Sequence, residues 1–227
     1  MLNEMKPSGT FIYRGIKRLF DVSVSAILIV PVGLVIGISS LIIKAEDGGP
    51  VFYIADRTGR FGRIFKMLKL RSMKLNAPDI RLADGSTFNG EDDPRVTKFG
   101  KFARKMSIDE LPQIINILRG DMTFIGPRPD TPVGSAAYTD EEKIILSVRP
   151  GITGYNQALN RNSVLTKEKL KNDIYYVQHL SLWFDIKIVF MTIATVLGHR
   201  NINRNDVSIE KAYILEKDGS KSPTDIK

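Results

Sequence analysis

The sequence predicts an α+β fold, predominantly helical with one small β-hairpin, attached to an N-terminal membrane helix. Three observations carry that expectation: an uncharged apolar run over residues 22–43, short-range alternation of apolar and polar residues over 51–72, and helical periodicity in several later segments. A chain of 227 residues suffices for one sizeable core, and a single domain with appendages is expected. Its divisions are an N-terminal tail over 1–16, the membrane helix over 17–44, a membrane-associated domain over 45–200, and a C-terminal tail over 201–227.

The run VSVSAILIVPVGLVIGISSLII matches the roughly 20 residues that cross a bilayer as a helix. Pro31 at its centre removes one backbone donor and presses on the carbonyl of Ile27, which predicts a break there. Gly33, Gly37, Ser39 and Ser40 weaken the second half further. Lys17 and Arg18 precede the run and Lys44 follows it, so positive charge at both ends gives no orientation for a crossing. Two readings stand. One is a spanning helix; the other is a re-entrant helix that turns at Pro31 and leaves by the face it entered, with protein covering the freed backbone groups. The polar and mixed residues ahead of the run, with no small-residue cleavage site after it, argue against a secretory signal.

From Val51 to Ser72 two short strands flank a Gly-bearing turn, with Val51, Tyr53, Phe65 and Met67 on one face. Residues 76–94 are rich in Asp, Gly and Pro and read as a surface loop. In RVTKFGKFARKM, Val96, Phe99, Phe102, Ala103 and Met106 recur at helical spacing, and Lys98, Lys101, Arg104 and Lys105 fill the remaining surface. Such a helix either lies on an anionic membrane or packs its apolar stripe on a core. LPQIINIL forms a short helix after Asp109, a further helix covers about 166–179, and IKIVFMTIATVL, too short to span, is a buried or interfacial helix. Residues 1–10 and 217–227 read as frayed, and there is no internal repeat.

A net charge of +8 suits a polyanionic partner: nucleic acid, anionic lipid headgroups or a phosphate-rich substrate. A nucleic-acid binder would need a recognition helix or stacking aromatics beside its cations; neither is evident, and no nucleic acid is expected. With no cysteine, disulfides and thiolate metal sites are excluded. His179 and His199 lack ligand spacing, and the chain has no P-loop and no dinucleotide fingerprint.

Several constellations can carry chemistry. Ser107-Ile108-Asp109-Glu110 reads either as a capping box or, with Asp109 as the cap, as a helix start with Pro112 inside the first turn. In the second case the helix end favours an ionised Asp109, a group suited to attack phosphorus. In Gly126-Pro127-Arg128-Pro129 two prolines stiffen the backbone around one arginine, either as a rigid turn or as a phosphate clamp. Arg149-Pro150-Gly151 repeats the theme, and Lys69 and Arg71, two apart on a strand, share a face that can meet a diphosphate. Asp21 is expected to pair with Arg18, and Asp173 to bond a ligand or an arginine.

Taken in order, Asp93-Pro94-Arg95-Val96-Thr97, Ser107 to Gln113 (SIDELPQ) and Gly120 to Pro129 (GDMTFIGPRP) resemble the bacterial sugar transferase family, monotopic phosphoglycosyl transferases acting on polyprenyl phosphate. The resemblance runs from Lys17-Arg18-Leu19-Phe20-Asp21 to about Thr192 and corresponds to the minimal catalytic core of that family. It implies transfer of a sugar 1-phosphate from a nucleotide sugar, of the uridine diphosphate class, to polyprenyl (undecaprenyl) phosphate, with UMP released and a glycan begun. It implies Asp109 as nucleophile, Glu110 as its assistant, and Mg²⁺ held at Asp109 and Glu110. Lys69, Arg104, Arg128, Arg149 and Asp173 fall where such enzymes gather phosphates and metal, and Arg71 joins them through its strand pairing with Lys69. It implies a re-entrant helix broken at Pro31, and a catalytic domain on the cytoplasmic face of the bacterial inner membrane; a homo-oligomer is compatible with it. After Gly154 the family continues with tryptophan and an Asn-Gly-Arg-Asn stretch, where Tyr155-Asn156-Gln157-Ala158-Leu159-Asn160-Arg161-Asn162 stands here, which leaves the sugar open. The rival reading is a non-catalytic membrane scaffold whose basic surface binds lipid or a partner.

Overall fold

The computed structural model describes residues 9–82, 87–90, 93–160, 166–198, 212–215 and 221–223. Its first element is the helix α1 (Phe11–Asp47), which begins ahead of Lys17 and so shortens the expected N-terminal tail. The Thr10 side chain accepts from the Tyr13 N–H at its start, and Gly48 closes it at φ 70°, a left-handed position that costs glycine nothing. At 37 residues α1 extends ~55 Å if straight. Its most apolar 18-residue window is only 11% buried, too little for the core helix of a globular domain. The helical run passes through Pro31 without interruption; a proline removes a single donor, and the turns on either side keep theirs.

Both ends of α1 hold the rest of the chain. Near its start, Tyr13 Oη and Lys17 Nζ donate to Asp185 at 2.8 and 2.5 Å. Arg18 donates to the carbonyls of Ile117 and Leu118 at 2.6 and 2.9 Å. Asp21 is 2% exposed and accepts from Thr123 Oγ1 and Phe124 N, so the expected Arg18–Asp21 pair gives way to two separate docking contacts. At the far end Arg71 donates two bonds to Asp47, and Glu46 accepts from Phe99 N.

The hairpin pairs β1 (Phe52–Thr58) with β2 (Ile64–Leu70), antiparallel, Phe52 opposite Leu70 and Thr58 opposite Ile64. Phe65 and Met67 are buried as expected and pack on Ile117 and Met122. Tyr53 lies on that face by register, opposite Lys69, yet is 54% exposed, beside exposed Phe52 and Ile54, because the core covers only the part of the face around Phe65 and Met67. The expected loop over 76–94 contains β3 (Asp79–Arg81), and the expected C-terminal tail supplies β6 (Tyr213–Leu215) and β7 (Lys221–Pro223), joined in one antiparallel sheet ordered β3-β6-β7. Such long-range pairing leaves no local signal. Buried Arg95 pins this region, donating to Asp93 and to the carbonyls of Pro78 and Phe88.

The helix α2 (Lys98–Lys105) starts on the Thr97 side chain. It meets the body through Gly100 and Ala103; a Cβ at Gly100 would lie 2.0 Å from the Ser72 carbonyl oxygen, which is why glycine stands there. The apolar stripe of α2 is divided: Ala103 is buried on the body, whereas Phe102 and Met106 are exposed. After α3 (Gln113–Arg119), β4 (Thr123–Ile125) pairs in parallel with β5 (Gly151–Thr153), with α4 (Pro132–Ala136) between them in sequence. Three further helices, α5 (Tyr155–Asn160), α6 (Thr166–Gln178) and α7 (Leu182–Leu197), close the core around Ile125, Ala158, Tyr176, Val177 and Ile188. On α7, Trp183, Ile186, Phe190, Ile193 and Leu197 form an exposed apolar stripe at helical spacing, while Ile188 is buried in the core.

Candidate active site

Two short elements and one strand build the site. Ser107 takes a left-handed conformation (φ 58°) and its side chain caps nothing; Ile108–Glu110 form a 3-10 turn, and Pro112 stands at the N-cap position of α3. Neither expected cap is therefore formed. The tight turn between α2 and α3 instead presents Asp109 and Glu110 toward β2, whose Lys69 reaches across, while the stiff Pro127-Arg128-Pro129 segment after β4 supplies Arg128.

The two carboxylates are in different states of use. Glu110 Oε1 accepts from Lys69 Nζ at 2.9 Å and from Arg128 Nη2 at 2.7 Å, and Oε2 lies 3.5 Å from Arg128 Nη1. Burial opposes its charge, but Arg128 and Lys69 outweigh that and hold Glu110 well below the usual carboxylate range. Asp109 is 8% exposed, and among the described residues no hydrogen bond ends on its carboxylate. Burial and the neighbouring Glu110 push its pKa up, while Lys69, Arg104 and Arg128 pull the other way. Arg104 is held by a bond from Nε to Ser72 Oγ at 2.9 Å. A carboxylate with open lone pairs, facing three cations, is arranged to meet an electron-poor centre bearing negative oxygens.

Asp173 on α6 extends the site beyond Arg128. It is 1% exposed and its Oδ1 has no hydrogen-bond partner among the described residues. Burial pushes its pKa up to about 7; Lys169 and Arg128 oppose that and Asp130 adds to it. Asp130, unremarked in the sequence although it directly follows the Pro-Arg-Pro segment, also accepts from Tyr138 Oη and pairs with Lys169 at 3.5 Å.

Two of the expected residues lie elsewhere. Arg71 is 8% exposed and committed to Asp47 and the Pro50 carbonyl, because the strand ends at Leu70 and the chain turns away from Lys69. Arg149 donates to the Gly120 carbonyl at 2.9 Å, its charged neighbours are Arg18 and Asp21, and it lines a recess at the foot of α1. His179 is exposed and stacks on Tyr175; His199, Arg161 and Asn162 lie outside the described residues. No local pattern marks the buried knot in which Lys17, at the start of α1, reaches across the chain to meet Tyr176 and Asp185.

Among the described residues no group of three or more His, Cys, Asp or Glu could hold a metal ion. Asp109 and Glu110 offer two adjacent carboxylates, one open and one engaged by cations. That donor set fits Mg²⁺, which keeps several waters and needs only one or two protein carboxylates when a diphosphate supplies further oxygens.

The sequence model of the family described as bacterial sugar transferase matches residues 12–199. A galactosyl transferase, CpsE, of Streptococcus agalactiae is 41% identical over 80% of this chain and 42% of its own length. A UDP-N-acetylgalactosamine-undecaprenyl-phosphate N-acetylgalactosaminephosphotransferase of Aeromonas hydrophila is 38% identical over 86% of this chain and 46% of its own length. The chain thus spans less than half the length of both. It covers 95% of EpsL of Bacillus subtilis, an uncharacterised sugar transferase, at 35% identity over 86% of this chain. A match of that extent, on a chain whose ordered motifs converge at Asp109 and Glu110, places this protein in the bacterial sugar transferase family.

Proposed function

We propose that the chain transfers a sugar 1-phosphate from a uridine-diphosphate sugar to polyprenyl phosphate, through a covalent intermediate on Asp109. The observation that carries this reading is the unequal use of the two carboxylates: Glu110 is spent on Lys69 and Arg128, and Asp109 is buried, open and ringed by cations. In the first step an Asp109 oxygen bonds to the phosphorus that bears the sugar, and the bond to the nucleotide oxygen breaks, releasing UMP with that electron pair. In the second, an oxygen of the acceptor phosphate attacks the same phosphorus and Asp109 leaves as carboxylate. Lys69, Arg104 and Arg128 neutralise the oxygens around phosphorus, and Glu110 positions two of those three. Mg²⁺, held through Asp109 and Glu110, would add charge neutralisation on the diphosphate. As an expected outcome, Asp109→Asn abolishes release of UMP from a UDP-sugar; release at the wild-type rate would overturn Asp109 as the nucleophile, and no release from the unaltered chain would leave the scaffold reading in its place.

The same proposal sets α1 as a re-entrant helix and the domain over 45–200 on the cytoplasmic face of the bacterial inner membrane. Support comes from the docking of both helix ends on one body, Arg18 and Asp21 on α3 and β4, Glu46 and Asp47 on α2 and the end of β2. A spanning helix would separate those ends across the bilayer. Tags at either end of the chain should both be reached by a membrane-impermeant reagent only after the cell is opened. An N-terminal tag labelled on intact spheroplasts would restore the spanning helix.

A further inference from the structure

A second group of cations lies apart from the Asp109 cluster. Between the first turns of α1, the hairpin turn and the segment leading into β5 is a small recess that opens to solvent. Arg14, Lys17, Arg18, Arg60 and Arg149 line it, and none of Asp109, Glu110, Lys69, Arg104 or Arg128 does. The one carboxylate on its wall, Asp21, already accepts from Thr123 and Phe124. Three of the arginines are tethered by neutral backbone oxygens: Arg18 by Ile117 and Leu118, Arg60 by Ser147, Arg149 by Gly120. Among the described residues none of these three has a carboxylate partner.

Collecting like charges this closely is unfavourable unless an anion offsets them. Burial and mutual repulsion already weaken the hold of Arg60 and Arg149 on their protons. Arg60 and Arg149 are tethered through Nε, which leaves both of their Nη groups for a phosphate, while Arg18 commits one N–H of each Nη to a carbonyl and keeps the others. On the same stretch of α1, Ile16, Leu19 and Phe20 are exposed, so a hydrocarbon chain leaving the recess would meet apolar surface at once.

We infer that this recess is a second phosphate site, which binds the phosphate ester of a membrane lipid headgroup through Arg18, Arg60 and Arg149. It anchors the foot of α1 at the bilayer surface and is separate from the chemistry at Asp109. The inference does not rest on the proposed reaction, since binding is measured with no nucleotide sugar present.

The test titrates the full chain in neutral detergent with dioctanoyl phosphatidylglycerol, or with inorganic phosphate alone, and reads binding by calorimetry. Saturable lipid binding is expected, weakened about tenfold by Arg60→Gln, only partly restored by Arg60→Lys, which returns the charge without the forked donors, and unchanged by Lys66→Gln, which removes an exposed charge on the same hairpin. Saturable binding of inorganic phosphate with the same Arg60 dependence, and none of the lipid, would keep the phosphate site and overturn its lipid source. Equal losses in Arg60→Gln and Lys66→Gln would mean diffuse attraction and overturn the site. Should Arg60→Gln not fold, phenylglyoxal labelling of the unaltered chain decides. The lipid should protect Arg18, Arg60 and Arg149 and leave exposed Arg119 reactive; uniform labelling with and without ligand would overturn the proposal.

Discussion

The Asp109 cluster and the recess at the foot of α1 both gather arginine and lysine, yet they hold their cations by different means. Around Asp109 the cations are held by a carboxylate: Glu110 binds Lys69 and Arg128 and takes up part of their charge. In the recess Lys17 is held by the Asp185 carboxylate, but Arg18, Arg60 and Arg149 are held by backbone carbonyls, which fix position and take up no charge. The difference teaches what each region can be used for. A cluster whose charge is partly balanced in advance stabilises a transition state without trapping its substrate, and a cluster left unbalanced is suited to retaining an anion.

That contrast breaks first at Glu110. Replacing it with Gln removes the charge that holds Lys69 and Arg128 and leaves both facing Asp109, so steady-state UMP release should fall by roughly 10²–10³-fold, the scale of losing one preorganised electrostatic contact. Lipid binding at the recess should be untouched, because no lining residue contacts Glu110. A Glu110→Gln enzyme as fast as the unaltered one would show that the carboxylate does not organise the cluster.

A smaller effect is expected at Asp173. Its pKa is raised from 3.8 to about 7, so the folded state holds its proton where the unfolded chain has lost it. Stability is therefore full below the unfolded value and declines as pH rises toward about 7. Asp173→Asn removes that decline. Melting temperatures of the two proteins should differ least near pH 4 and most at pH 7 and above, with the variant the more stable. A constant difference across that range would mean that Asp173 meets an anion-stabilising partner.

Much of this architecture was legible in the sequence because it is local. The apolar run, the hairpin and the helices over 166–178 and 182–197 follow from periodicity within each segment. Asp109 and Glu110 stood out through a proline three residues on and through the family resemblance. What escaped depends on partners distant along the chain. Arg71 shares a strand face with Lys69 by spacing, but the partner that claims it, Asp47, is at the end of α1. Arg149 follows a Pro-rich pattern like that of Arg128, and only the fold assigns the two to different places. Strand β6 pairs with β3 from the far end of the chain, β7 pairs with β6, and strands of three residues are too short to carry a periodic signal.

The central claim is that Asp109 bonds to the sugar phosphate. It is tested most directly by mixing the full chain with a UDP-sugar and Mg²⁺ in the absence of acceptor, quenching in acid and weighing the intact protein. The account predicts a mass gain equal to one sugar phosphate, confined after proteolysis to the peptide containing Asp109, absent from Asp109→Asn, and discharged by polyprenyl phosphate. Stoichiometric UMP release with no such adduct, or an adduct on any other residue, would contradict it.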